Sequence, residues 1–114
     1  MTRTSYVPNK GEVVWLDFDP QAGHEHSGRR PAFVLSPQSY NKKTGLMLCC
    51  PITSQVKGYP FEVAVAGVTT IRGVILADQV KSLDWQVRRA EKSGKVSKDV
   101  LEEVVLKIRA ILEG

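Results

Sequence analysis

The first well-patterned stretch of the chain alternates between hydrophobic and polar positions. Successive side chains of an extended segment point to opposite faces, and Val14, Leu16 and Phe18 share one face of residues 12–19. Alternation of this kind is typical of a half-buried strand. The pattern therefore predicts a first strand over these residues, ended by Pro20.

The same reasoning predicts further strands at residues 32–36, 46–50, 61–65 and 73–80, with a short sixth strand at 87–90. The segment 46–50 is continuously apolar, so we expect it to be buried on both sides. It should end near Pro51, because proline cannot donate to a strand ladder. The polar stretches 37–44 and 53–60 are predicted to be loops.

The last segment changes its period. Hydrophobic residues recur there at helical spacing of three to four, at Val100, Leu101, Val104, Val105, Ile108, Ile111 and Leu112. Ser97 precedes them as a predicted N-cap. The sequence thus predicts one domain over residues 1–114, mainly β, in which five or six strands form a barrel and one α-helix follows at the C-terminus.

Composition excludes several other classes. No window approaches the roughly 18 consecutive apolar residues of a membrane span. The N-terminus lacks the hydrophobic core of a secretory signal, so we expect a cytoplasmic protein. Cys49 and Cys50 are adjacent in an apolar run, where their side chains would point apart, and they are predicted to be reduced core residues.

The charge balance is mildly basic. Sixteen lysines and arginines outnumber twelve acidic residues, for a net charge of +4. Such a field favours a polyanionic partner, but many proteins without one carry as much positive charge. Charge alone therefore leaves nucleic-acid binding open.

The stretch between the first two predicted strands has an unusual set of side chains: His24, Glu25, His26, Arg29 and Arg30. A carboxylate can accept a proton, an imidazole titrates near neutral pH, and a guanidinium can bind phosphate oxygens through two donors. Together they suit phosphodiester chemistry. Two alternatives stay open, namely a polar surface loop with weak ion pairs, and a metal site with two histidines and Glu25 as ligands.

A second polar loop follows the third predicted strand. Thr53 and Ser54 could donate to a phosphate there, Lys57 could neutralise one, and Tyr59 could stack on a base. The alternative for Tyr59 is a tight turn that packs the ring against the barrel.

Two further groups of polar or aromatic residues have less specific patterns. Asp17 and Asp19 share a strand face, which would suit paired carboxylates, although roles as loop anchor and turn residue are favoured. Asp78 and Gln79 lie at the end of the fifth predicted strand and could face the same edge. The two tryptophans, Trp15 and Trp85, are expected in the core or at an interface.

Six motifs in order resemble the MazF/PemK toxins, the mRNA interferases of toxin–antitoxin pairs. They are Tyr-Val-Pro at 6–8, Gly-Glu-Val-Val-Trp-Leu-Asp-Phe-Asp-Pro at 11–20, Gly-Arg-Arg-Pro-Ala at 28–32, Val-Leu-Ser-Pro at 34–37, Lys-Gly-Tyr-Pro at 57–60 and Leu-Ala-Asp-Gln-Val-Lys-Ser at 76–82. The match runs from about Tyr6 to the C-terminal helix. It is their order and spacing that make the resemblance specific.

The resemblance implies an SH3-like barrel that forms a homodimer, binds single-stranded RNA along the dimer interface and is inhibited by a cognate MazE-like antitoxin. It implies RNA cleavage by the 2′-hydroxyl, without a metal or other cofactor. The family's catalytic residues fall on Glu25, Arg30 and Thr53. The RNA-binding residues expected beside them are Asp17, His26, Arg29, Ser54, Gln55, Lys57 and Gln79.

The chemistry agrees with these residue types, because the reaction needs a base, cationic stabilisation of the phosphorane and a proton for the leaving oxygen. We assign Glu25 as base, Arg30 as charge stabiliser and Thr53 as the hydroxyl that positions the phosphate. A guanidinium is a poor acid, since its pKa exceeds about 12, so His26 or His24 is a hypothetical proton donor. The alternative function is a non-catalytic toxin of the same fold that binds a protein such as gyrase.

Overall fold

The computed structural model describes residues 6–18, 28–67 and 70–114. Seven strands and two helices lie in these ranges: β1 Glu12–Asp17, β2 Arg29–Val34, α1 Gln38–Thr44, β3 Leu46–Thr53, β4 Glu62–Ala64, β5 Val74–Leu76, β6 Lys81–Asp84, β7 Glu91–Lys95 and α2 Lys98–Glu113. The predicted class, mainly β with a C-terminal helix, is confirmed.

The strands form one antiparallel sheet in the order β4-β5-β3-β2-β1-β7, and β6 also pairs with β3. An isolated bridge between Gly67 and Val96 joins the chain after β4 to the chain after β7. This bridge brings the two ends of the strand order together, so the sheet curls into a barrel.

Strand β3 is longer than predicted and runs through Pro51. It pairs with β6 over Leu46–Cys49 and with β5 from Ile52 onward. Pro51 lies between these two segments, so its missing donor interrupts neither the β5 nor the β6 ladder. On the other edge of β3 it is paired with Ala32 of β2. Predicted burial on both sides was wrong for part of this strand, because Leu46 and Leu48 are 36% and 38% exposed.

Helix α1 replaces a predicted loop. Its sequence has no hydrophobic period, and it is held instead by a buried residue, Asn41, whose amide nitrogen donates to the Pro8 carbonyl at 2.8 Å and the Ser36 carbonyl at 3.1 Å. The Trp85 indole donates to the Asn41 carbonyl at 2.8 Å. Tertiary hydrogen bonds thus stabilise a helix too short to be stable alone.

Strands β6 and β7 were also missed, and the strand predicted at 87–90 is a turn. Both strands are polar, with the sequences Lys-Ser-Leu-Asp and Glu-Lys-Ser-Gly-Lys, so they lack the alternation that predicts strands. The prediction for α2 is confirmed, with the Ser97 side chain accepting from the Val100 amide at 3.4 Å.

The barrel has two hydrophobic clusters, one on each face of β1 and β2. Val13 and Phe33 belong to the first, which includes Val100 and Val104 of α2. The second cluster consists of Val14, Leu16, Ala32, Val34, Met47, Cys49 and Trp85. Among the residues that the structure describes, no helix is long and apolar enough to cross a membrane.

Candidate functional site

An open groove of about 520 Å³ crosses the ends of β1, β2 and β3. It is lined by Trp15, Arg30, Pro31, Ile52, Thr53, Ser54, Gln55, Thr70, Ile71 and Arg72. Continuing the Ala32–Pro51 register by two residues sets Arg30 opposite Thr53. Two residues predicted to be catalytic, from separate strands, are therefore brought together.

The two neighbouring arginines of β2 have different environments. Arg29 bonds to Asp17, Arg89 and Glu91, whereas Arg30 is exposed and has no ion pair with any residue in the described ranges. Alternation along a strand explains the difference, because the two side chains point to opposite faces. The exposed guanidinium of Arg30 can bind an anion in the groove.

Thr53 ends β3 with its hydroxyl oriented by the backbone. Its Oγ1 accepts a hydrogen bond from the Gln55 amide at 3.1 Å. A hydroxyl that accepts there still has its own proton to donate. On the other side, Gly73 packs so closely that a Cβ would lie 2.1 Å from the Thr53 carbonyl oxygen.

A second, smaller recess of about 200 Å³ continues from Thr53. It is lined by Thr53, Gln55, Lys57, Tyr59, Phe61, Glu62, Leu76, Asp78 and Gln79. Tyr59 is 60% exposed, so its ring is not packed against the barrel as the alternative prediction had it. The Lys57 ammonium lies 5.9 Å from the Tyr59 ring centroid, and both can reach a ligand in this recess.

The loop that forms this recess is held by one carboxylate. Glu62 accepts hydrogen bonds from the amides of Lys57, at 3.1 Å, and Gly58, at 2.9 Å. The Lys107 ammonium on α2 donates to the Pro60 carbonyl. These contacts fix the loop against the barrel, so its side chains have a defined position.

A cluster of charges lies at the end of β1. The Asp17 carboxylate accepts from Arg89 Nε at 3.0 Å and from Arg29 Nη1 at 3.0 Å. These two hydrogen bonds, that of Arg89 first, hold the pKa of the Asp17 carboxyl below its ordinary value of 3.8. The contribution of these bonds to the stability of the folded protein is therefore present above that ordinary pKa, and it is lost as the pH falls through the lowered pKa.

His24, Glu25, His26 and Asp19 lie outside the described residues. In the described ranges no group of three metal-ligating side chains occurs.

Several groove residues were missed from the sequence. Trp15 faces the groove beside Arg30, although it was expected in the core or at an interface. Arg72 lines the same groove, and Phe18 and Lys81 line an adjoining part with Arg30 and Thr53. Their charge could have suggested Arg72 and Lys81 as binding residues, but no local sequence pattern shows that they line the same groove as Arg30. Trp85 is in the core, as predicted.

The two cysteines are confirmed as free and buried. Burial raises the pKa of each thiol to about 12. Neither lines the groove, and both remain protonated thiols in the core at neutral pH.

The comparison with protein families gives a match over nearly the whole chain. A family model described as PemK-like, MazF-like toxin of type II toxin–antitoxin system matches residues 9–112. Over 107 residues the chain is 51% identical to the endoribonuclease toxin MazF of Escherichia coli strain K12, which covers 94% of this chain and 96% of that protein. The endoribonuclease toxin ChpB of the same strain is 36% identical, over 91% of this chain and 93% of its own.

Solved structures give the same picture. MazF of Deinococcus radiodurans superimposes with a TM-score of 0.85 at 55% identity, covering 96% of this chain and 100% of that one. A MazE–MazF complex from that organism superimposes with a TM-score of 0.85 at 49% identity and the same coverage. With its fold, its groove and these relatives, the chain belongs to the PemK-like, MazF-like toxin family of type II toxin–antitoxin systems.

Proposed function

We propose that this endoribonuclease toxin cleaves single-stranded RNA with Glu25, Arg30 and Thr53 as its catalytic residues. The enzymatic class follows from relatives that are named endoribonucleases at 51% and 36% identity. Those names favour RNA cleavage over the alternative of a gyrase-binding toxin. The observation that supports the choice of residues is the shared groove of Arg30 and Thr53.

The proposed reaction is attack of the ribose 2′-hydroxyl on the adjacent phosphorus. Glu25 removes the 2′ proton, and a P–O bond forms as the bond to the 5′-oxygen breaks. Arg30 stabilises the charge on the phosphorane oxygens, while the Thr53 hydroxyl donates to one of them. The products are a 2′,3′-cyclic phosphate and a 5′-hydroxyl, and no step uses a metal or cofactor.

The proton for the leaving oxygen is assigned to His26 or His24. Histidine is the side-chain type suited to that role, because an unperturbed imidazole exchanges its proton near neutral pH and a guanidinium does not. A variant with both histidines replaced by Gln should lose rate and change its pH profile. An unchanged rate from pH 5 to 8 would remove the histidines from the mechanism.

Bases on either side of the cut are proposed to contact the rest of the groove. The exposed ring of Tyr59 can stack on a base, while Lys57 neutralises a phosphate. Ser54, Gln55 and Gln79 offer hydrogen-bonding groups along the same surface. Roles in RNA binding remain predictions for His26, Asp17 and Arg29. Asp17 and Arg29 form an ion pair with each other.

The test is incubation of the purified protein with a long RNA in EDTA. We expect cleavage at a short motif, with ends that a polynucleotide kinase can label directly because they carry 5′-hydroxyls. A matched RNA with a 2′-deoxy nucleotide at the cut site should stay intact. Uncut RNA would refute the proposal, and cleavage only after metal addition would favour a His24–His26 metal site.

The protein is also proposed to be a homodimer that pairs through the outer face of β3 and β6. Leu46 and Leu48 are exposed there, opposite Asp84 and Ser82 of β6. This face adjoins the groove, since β6 begins at Lys81. Two protomers joined here would place their grooves side by side along one interface.

Light scattering tests the dimer. The wild type should show twice the protomer mass of 12.6 kDa, and Leu48→Glu should shift it to the monomer because it places a charge in the apolar interface. Leu106→Glu, at an exposed apolar position on α2, is the matched control and should stay dimeric. A monomeric wild type, or dissociation by the α2 substitution alone, would contradict this interface.

The implied partner is a MazE-like antitoxin with an acidic, disordered segment. Two of the similar crystal structures from Deinococcus radiodurans are MazE–MazF complexes. Arg30, Arg72 and Lys81 give the groove a basic side on which an acidic segment could bind. Such a partner would compete with RNA, which a cleavage assay with added antitoxin measures.

A cytoplasmic location, where mRNA is found, is part of the same proposal.

A further inference from the structure

The turn between β6 and β7 contacts the end of the β1–β2 pair next to the groove. Arg88 Nη1 donates to the Asp17 carbonyl at 3.0 Å and also to the Phe18 carbonyl. The Asp17 amide donates to the Arg88 carbonyl at 2.9 Å. The last residues of β1 are therefore bonded to this turn through both backbone and side chain.

The same turn also holds the start of β2. Arg29 Nη2 donates to the Arg89 carbonyl at 2.7 Å, and Arg29 Nη1 bonds to Asp17. Arg89 in turn reaches the second oxygen of Asp17 through its Nε. Arg29 is the residue immediately before Arg30, so these bonds fix the backbone on which the groove arginine stands.

The turn is itself rigidly anchored. The Asp84 side chain accepts from the amides of Gln86, at 3.0 Å, and Val87, at 2.9 Å. Trp85 is buried in the second hydrophobic cluster. Arg89 has a φ of +55°, a conformation that costs energy for a residue with a side chain. Such strain persists only where surrounding contacts hold it, as those with Asp17 and Arg29 do here.

We propose that the turn Trp85–Arg89 positions Arg30 for catalysis, with Arg88 as the principal positioning residue. The inference rests on the proposed function, because it takes Arg30 as a catalytic residue. It assigns no contact with RNA to the turn. None of its residues lines the groove. Its effect is to hold the ends of β1 and β2 in one geometry, and displacement of a charge stabiliser by about 1 Å can cost up to about 100-fold in rate.

Arg88→Ala tests the proposal by steady-state cleavage of a short RNA that contains the cut motif. We expect kcat to fall by about 10-fold or more with KM changed less than about two-fold, because a positioning residue does not touch the substrate. Arg88→Lys should recover part of kcat, since an ammonium can still donate to one carbonyl. Val87→Ala, an exposed neighbour in the same turn, is the matched control and should match the wild type.

The outcomes separate the inference from the function on which it rests. If the wild type cuts RNA and Arg88→Ala has the same kcat, the positioning role is wrong while the function stands. A higher KM at unchanged kcat would instead show that Arg88 contacts RNA, and would also overturn it. If Arg88→Ala does not fold, Arg88→Lys decides: an ammonium cannot reproduce both guanidinium bonds to the Asp17 and Phe18 carbonyls, so wild-type kcat in that variant refutes the proposal.

Discussion

Arg30→Ala should lower kcat/KM for RNA cleavage by about 10²–10³-fold, the usual loss when one preorganised charge stabiliser is removed from an active site. The guanidinium is exposed in the groove and free of ion pairs within the described ranges, so it is available to the phosphate. For the same reason its removal should leave the free energy of unfolding nearly unchanged. Single-turnover cleavage and chemical denaturation measure the two quantities.

Two further variants identify the cause. Arg30→Lys should recover only part of the rate, because an ammonium keeps the charge but not the two parallel donors of a guanidinium. Arg109→Ala removes an arginine on α2, whose bond to Glu113 lies away from the groove, and should cleave as the wild type does. A loss below about five-fold for Arg30→Ala would mean that it is not the charge stabiliser.

Gly73→Ala should both destabilise the protein and impair cleavage. The added Cβ would lie 2.1 Å from the Thr53 carbonyl oxygen, and the φ of +128° is unfavourable for any side chain. Backbone strain and overpacking together predict a loss of about 2–5 kcal/mol in the free energy of unfolding. Any relaxation that accommodates the methyl group moves Thr53, so kcat of the folded fraction should fall as well.

Gly45→Ala is the matched control for this effect. Gly45 ends α1 with a φ of +76°, but nothing lies within 4 Å of an added Cβ. The only expected effect is the cost of a left-handed backbone, about 1–2 kcal/mol in the free energy of unfolding. Cleavage should be normal, because the groove is unaffected. Denaturant unfolding of both variants separates strain from steric clash. Equal destabilisation, with normal cleavage by Gly73→Ala, would show that the contact with Thr53 is unimportant.

The parts of the fold that the sequence predicted are those with a hydrophobic period. Strands β1 and β3 and helix α2 bury side chains from regular positions, and each was found within a few residues of its bounds. Helix α1 and strands β6 and β7 were missed because they are polar. They are stabilised by contacts with distant residues, such as the bonds of Asn41 to Pro8 and Ser36.

The candidate site divides in the same way. Arg30 and Thr53 were identified from motifs, as was the polar loop around Lys57 and Tyr59. Trp15 was not assigned to the site, because the groove that it lines is formed with residues distant in the sequence. The ion pairs of Asp17 with Arg29 and Arg89 could not be anticipated either, since they join residues 12 and 72 positions apart.

By itself the sequence determined a mainly β barrel with a C-terminal helix, the family of the protein and the residue types of its site. Those properties depend on local periodicity and on ordered motifs, which are readable along the chain. Only the tertiary structure decided which side chains meet. Strand register sets Asp17 opposite Arg29, and the packing of β2 beside β3 brings Arg30 and Thr53 into one groove. Register is fixed by packing among distant segments that no local pattern records.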